Sequence, residues 1–89
     1  MLTPYYTTQF KRDIKRQQKR KKDLSKLKSL MNLLIEEKKL PPKNRDHKLS
    51  GDYKDFRDCH IEPDWLLIYK IEGKEIFFTR TGSHADLFE

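Results

Sequence analysis

The chain has 89 residues, 35% of them hydrophobic and 38% charged, which bounds it to one domain (1–89) around one small core. Its single cysteine, Cys59, excludes an internal disulfide and fits a reducing compartment. The formal net charge of +6 is uneven: residues 1–35 hold ten Lys/Arg against two Asp/Glu, and residues 36–89 hold ten against twelve.

A field of that sign speeds encounter with polyanions and selects no sequence; its plain alternative is a solvated lysine-rich helix face. No long apolar run occurs, and the opening MLTPYYTTQF lacks the basic-then-apolar order of a signal peptide. The expectation is a soluble, cytoplasmic protein without membrane contact.

In chain order, residues 2–6 (LTPYY) fit a short edge strand, since Pro4 has no N–H to give a sheet ladder and is limited to an edge or a strand start. Thr7 or Thr8 caps a helix from about Gln9. Its apolar stripe is thin, Tyr6, Phe10 and Ile14, and no apolar residue occurs from Lys15 to Lys22. Its second half is therefore expected to be exposed and electrostatic in role. Asp23 caps a second helix, in which Leu24, Leu27, Leu30, Met31, Leu34 and Ile35 make one broad apolar face. The segment 40–52 reads as a loop carrying His47, with two prolines ending the helix and Ser50-Gly51 marking a turn.

From Tyr53 the period switches to strands: YKDFRDCHI, WLLIYKI and KEIFFTRT, with Pro63 between the first two and a tight turn at Gly73 between the last two. Two N-terminal helices followed by an antiparallel meander give an α+β fold, helices packed on a sheet. Two turns are open at Gly73, Glu72-Gly73 or Gly73-Lys74. Either puts Trp65, Leu67 and Tyr69 on one face with Ile76, Phe78 and Arg80. That gathers His60, Asp64, Trp65, Arg80 and His84 at one rim. Of neighbours Cys59 and His60, the cysteine is expected inward.

Such a rim could cut RNA without metal or cofactor, because RNA carries its own nucleophile. Something must take the 2′ proton, something must protonate the 5′ oxygen, and something must stabilise charge on the phosphoryl oxygens. Imidazole and carboxylate suit the first two tasks, and an arginine fork suits the third. Trp65 or Phe88 could stack on a base. Lys11, Lys15, Lys19 and Arg20 on the first helix could hold the backbone. Each also has an ordinary reading: Asp64 as a turn former, Arg80 paired with Glu62 or Asp58, Trp65 as core. The residues alone lead to a basic nucleic-acid-binding domain with nuclease chemistry as an extension.

Three stretches go further together: DHKLSG at Asp46–Gly51, FRDCHIEPDWLLIY at Phe56–Tyr69, and RTGSHADLF at Arg80–Phe88. With them, the chain from Gln9 onward strongly resembles the YafQ branch of the RelE toxin superfamily. The resemblance implies a bacterial type II toxin, an endoribonuclease that cuts messenger RNA in the ribosomal A site and stops translation. It implies the same α+β fold and no metal or other cofactor. By motif, His47 and His60 would serve proton transfer or RNA positioning. Asp64 would be the general base or the group that orients it, and His84 the general acid. Arg80 would stabilise phosphoryl charge, and Trp65 and Phe88 would hold the substrate. Base and acid are divided differently among relatives. The implied partners are a cognate antitoxin, the ribosome with its mRNA, and operator DNA only as a toxin–antitoxin complex.

Three rival readings separate cleanly. A non-catalytic binding module would need the lysines and not the histidines. The gyrase-poisoning branch of the same fold lacks the acid–base set. A metal site from His47, His60, His84 and Asp64 would need ligands at separations that are long and non-local in sequence.

Overall fold

Thr7 ends the first strand and starts the first helix. Its side chain accepts from the Phe10 amide at 3.0 Å and its hydroxyl donates to the Thr79 carbonyl at 2.9 Å, so one residue caps the helix and ties it to the sheet. The structure, a computed structural model, describes residues 1–88. Strand β1 (Thr3–Tyr6) leads into α1 (Thr8–Lys19) and α2 (Leu24–Ile35). Asp23 caps α2 as expected, its carboxylate taking the Ser25 amide at 3.0 Å. Short 3₁₀ turns at Pro42–Asn44 and Gly51–Tyr53 flank β2 (His47–Lys48). Then come β3 (Arg57–Glu62), β4 (Trp65–Glu72), β5 (Glu75–Gly82) and a closing helix α3 (His84–Phe88).

The five strands form one sheet in the order β1-β5-β4-β3-β2. The meander β3-β4-β5 is antiparallel as the alternation predicts, and β2 adds antiparallel to β3. Strand β1 runs parallel to β5, Tyr6 beside Phe78, because α1 and α2 intervene and carry the chain back to the same end. Three features differ from the sequence expectation. The segment 40–52 contains a two-residue strand at His47–Lys48, the first meander strand starts at Arg57 after a 3₁₀ turn, and a helix follows the last strand.

The two faces of the sheet are covered differently. Cys59, Trp65, Leu67, Tyr69, Ile76 and Phe78 point at the helices, where they meet Phe10 and the α2 stripe of Leu27, Leu30, Met31 and Leu34. Each fully buried Leu, Ile or Phe among them contributes about 1.5–3 kcal/mol. Tyr6, Phe10 and Phe78 stack with centroids 5.7–6.2 Å apart, joining β1, α1 and β5. The opposite face is smaller: Leu66 and Ile68 pack with Leu87 of α3, and with Leu49 and Phe56. Cys59 is inward and free.

The β4–β5 hairpin takes the Gly73-Lys74 turn, with Gly73 in the left-handed region at φ 58°. Tyr69 faces Phe78, and then the register slips, so that Ile68 faces Arg80 and Leu67 faces Thr81. A residue inserted at Thr79 turns every later side chain to the other face. The expected pairing of Trp65 with Arg80 on one face is therefore not what the chain does. Trp65 donates its indole N–H to the Thr81 hydroxyl at 3.0 Å, and Arg80 points away from it.

Candidate active site at the β3–β4 rim

Strand alternation delivers the first group. Cys59 points to the helices, so Asp58 and His60 share the other face. His47 lies directly across from Asp58 in the β2–β3 ladder, with Nε2 3.9 Å from the Asp58 carboxylate. The ring of His60 lies 6.4 Å from that of His47 and 5.7 Å from that of His84. Three histidines far apart in sequence thus line one rim.

Local anchors hold each contributor. The His47 segment is pinned through Asn44 and Asp46. Asn44 donates to the His60 carbonyl at 2.7 Å, and Asp46 accepts from Tyr69 at 2.5 Å and from Arg57 at 3.2 Å. Tyr69 reaches that carboxylate from the core, so the loop around His47 is fixed by a fully packed ring. The His47 ring is oriented by Nδ1 donating to the Arg45 carbonyl at 2.6 Å. Asp64 sits in the turn after Pro63 and binds His84 twice, through the backbone N–H at 2.9 Å and through ring Nδ1 at 2.6 Å. That fixes the Nδ1–H tautomer of His84 and turns Nε2 outward.

The electrostatics differ by position. Hydrogen bonds from the His84 amide and then its ring hold the Asp64 carboxyl below the usual carboxylate range. Burial pushes the His60 imidazole below its ordinary value, opposed by the nearby Asp58 charge. Burial pushes the Asp58 carboxyl up, opposed by the three histidines. His60 Nδ1 and one Asp58 oxygen are both buried without a hydrogen-bond partner, two unmet groups on the same strand face. An open pocket of about 500 Å³ fronts the rim, lined by His60, His84, Pro63, Lys43, Asn44 and Arg45 among others.

The remaining expected residues are spread around this rim. Phe88 is exposed on α3, edge-on to Tyr53 at 6.0 Å. Trp65 is fully buried with Lys22 Nζ 5.8 Å over its ring, a core position that offers no face to a base. Arg80 directs Nε and Nη2 to Asp13 of α1 at 2.8 and 3.3 Å, rather than to Glu62 or Asp58. Lys11, Lys15 and Lys19 are exposed along one stripe of α1. Arg20 is committed to Asp86 of α3 through two hydrogen bonds of 2.6 and 3.0 Å. Among the described residues no group of three or more His, Cys, Asp and Glu side chains is arranged to hold a metal ion.

The family model for the bacterial toxin of type II toxin–antitoxin systems, YafQ, matches residues 2–89. The chain belongs to the YafQ family. It is 52% identical over 84 residues to the mRNA interferase toxin YafQ of Escherichia coli K12, covering 93% of this chain and 91% of that one. It superposes on a chain of the E. coli DinJ–YafQ complex with a TM-score of 0.94 at 49% identity, over 100% of both chains. A metal-bound toxin from Helicobacter pylori matches with a TM-score of 0.92 at 42% identity, over 99% of this chain and 100% of that one. The α+β fold is therefore that of the YafQ toxins.

Sequence reasoning passed over Asp58, Lys43, Arg45 and Asp86. Asp58 was within reach, since a residue two before His60 on a strand must share its face. Asp86 also had a signal: Ser83 and Asp86 are spaced as a capping box. Lys43 and Arg45 reach the pocket only through the fold of a loop, with Arg45 left-handed at φ 46°, and no spacing announces that.

Proposed function

We propose that this chain is the toxin of a cytoplasmic toxin–antitoxin pair and cleaves messenger RNA on the ribosome. The observation that carries the reading is the His84–Asp64 pair facing His60 across one pocket, in a chain 52% identical to an mRNA interferase. In the reaction the 2′-oxygen attacks the adjacent phosphorus and the P–O5′ bond breaks, leaving a cyclic 2′,3′-phosphate and a free 5′-hydroxyl. His60, kept neutral by burial, is suited to receive the 2′ proton. His84 in its protonated form is suited to donate to the departing 5′-oxygen, with Asp64 orienting its ring and stabilising its charge. His47 and the exposed cations Lys43 and Arg45 are suited to the phosphates beside the scissile one.

Arg80 serves this reading only if RNA draws its fork from Asp13. Phe88 is open to a base, and Trp65 supports the rim from beneath. The reading is metal-free: the RNA brings its own nucleophile, and imidazole and carboxylate serve as acid and base. Ribosome dependence fits a site that is open and lacks a deep groove to align the 2′-hydroxyl itself. The partner is an antitoxin, as the E. coli DinJ–YafQ toxin–antitoxin complex suggests, with an acidic segment suited to the charge of residues 1–35. Operator DNA would be bound by the pair, mainly through the antitoxin.

The test is induced expression of the wild type beside His84→Ala, with primer extension on a reporter mRNA. The wild type should arrest growth and give new 5′ ends within codons, and the variant should give neither while staying folded. Cleavage in vitro should persist in a chelator. Equal arrest by both forms, or no new ends from either, would instead favour a binding module or a gyrase poison.

A further inference from the structure

The closing helix α3 carries both His84 and Phe88, yet it has only five residues. An isolated helix shorter than roughly 12–15 residues does not hold itself in water. Something else must hold it. Leu87 anchors one side in the small cluster with Leu66 and Ile68. The other anchor is Asp86. Its carboxylate accepts the Ser83 amide at 2.9 Å while its own amide donates to the Ser83 hydroxyl at 3.1 Å, a reciprocal cap at the start of the helix. The same carboxylate takes the fork of Arg20 at 2.6 and 3.0 Å and lies 3.5 Å from Arg16. The Asp86 side chain is only 11% exposed in this cage. It lies so close over Gly82 that a Cβ there would sit 2.8 Å from a carboxylate oxygen.

His84 lies between Ser83 and Asp86, inside the loop that this cage closes. Its ring and amide can meet Asp64 only if the start of α3 stays where the cage puts it. The cage joins the C-terminal end of α1 to the rim over Gly82, the last residue of β5. We propose that Arg16, Arg20 and Asp86 form a clamp that positions His84, and that these two arginines belong to the clamp rather than to the RNA-binding surface. The inference rests on the ribonuclease reading for its consequence in catalysis, though not for its effect on the free protein.

The two possible roles of Arg20 predict opposite signs for one substitution. Asp86→Asn releases Arg16 and Arg20. If they were RNA contacts held in reserve, the released charges would tighten substrate binding and steepen its salt dependence. If they form a positioning clamp, substrate binding changes little and the chemical step suffers. A misplacement of about 1 Å can cost on the order of a hundredfold in rate.

The experiment is single-turnover cleavage of mRNA on programmed ribosomes by wild type, Asp86→Asn and Arg20→Lys, at several salt concentrations. In parallel, α3 amide exchange and the ring nitrogen signals of His84 are followed by NMR in the free toxin. We expect Asp86→Asn to lower the maximal rate by at least about tenfold, with half-saturation moved less than about twofold. Arg20→Lys, which keeps the charge and loses the fork, should do the same. Both should speed α3 exchange and change the His84 ring signals. Tighter binding by Asp86→Asn at an undiminished rate would overturn the clamp, as would a normal rate in Arg20→Lys. Should Asp86→Asn fail to fold, as judged by thermal melting, Arg20→Lys decides. Should the wild type itself leave mRNA intact, the ribonuclease reading falls, while exchange and ring signals still decide the clamp.

Discussion

The three histidines of the rim sit in three settings. His84 is exposed and tied to Asp64, His47 is exposed and tied to a backbone carbonyl, and His60 is half-buried with an unmet Nδ1. Asp58 is what the last two share. Its buried carboxylate faces His47 and sits one alternation from His60, and burial raises its pKa above the ordinary 3.8. A carboxyl with a raised folded pKa contributes stability below the unfolded value and loses it as pH rises through the folded one. At neutral pH its charge is therefore a cost to the fold. Asp58→Asn should raise the melting temperature at pH 7 and lower the cleavage rate, a separation of stability from function. It should also move the His60 titration further down, because the Asp58 charge is the main influence holding it up. A lowered His60 pKa means stability is lost as pH falls through the ordinary histidine range toward the lower folded value. An imidazole titration by NMR checks both signs, and an unchanged or raised His60 value in Asp58→Asn would show that the two groups are not coupled.

At the scale of elements, the bulge at Thr79 decides which side chains reach the rim. It turns Thr81 inward, where it accepts from Trp65 and donates to the Leu66 carbonyl at 2.7 Å, while the Arg80 fork still reaches Asp13 of α1. Asp13 receives the consequence. Almost fully buried, it accepts the Arg80 fork and the Thr81 amide at 3.1 Å. Asp13→Ala would strand an amide and a guanidinium together, at a cost of about 3–5 kcal/mol in a denaturant melt. A loss below about 1 kcal/mol would mean water replaces the carboxylate without penalty. Period-two alternation and the leucine stripe made α2, the meander and the inward Cys59 legible in the sequence, because those follow from which side chains can be buried. The bulge was not legible, since nothing in Phe77 to Thr81 marks an inserted residue and the carboxylate that takes up the displaced groups lies on a helix 67 positions away in sequence. The same holds for β2 and α3: two residues and five residues are too short for a period to register, and their partners lie elsewhere in the chain.

At the scale of the whole molecule, charge and chemistry occupy different faces. The helices that carry the positive excess pack on one side of the sheet, and Asp58 and His60 sit on the other. They meet at one end, where Arg16 and Arg20 grip Asp86, and Lys22 and Lys26 share Glu62 at 3.1 Å each. Two carboxylates thus offset two of the four positive charges at the junction, so the count of cations in residues 1–35 overstates what a polyanion meets there. The stripe of Lys11, Lys15 and Lys19 is different, being exposed along α1 and away from those pairs. It should act by long-range attraction and by direct pairing with backbone phosphates, whether of mRNA or of ribosomal RNA. Replacing all three by glutamine should weaken association with the ribosome–mRNA complex and flatten its salt dependence. The slope of log K against log salt should fall by roughly 0.7 for each single-stranded phosphate that the protein ceases to neutralise. The maximal rate at saturation should stay near that of the wild type, because none of the three touches the His60–His84 rim. Cleavage at saturation that falls as far as in His84→Ala would place α1 inside the chemistry and refute this division. An unchanged salt slope would show that the stripe is only a solvated face.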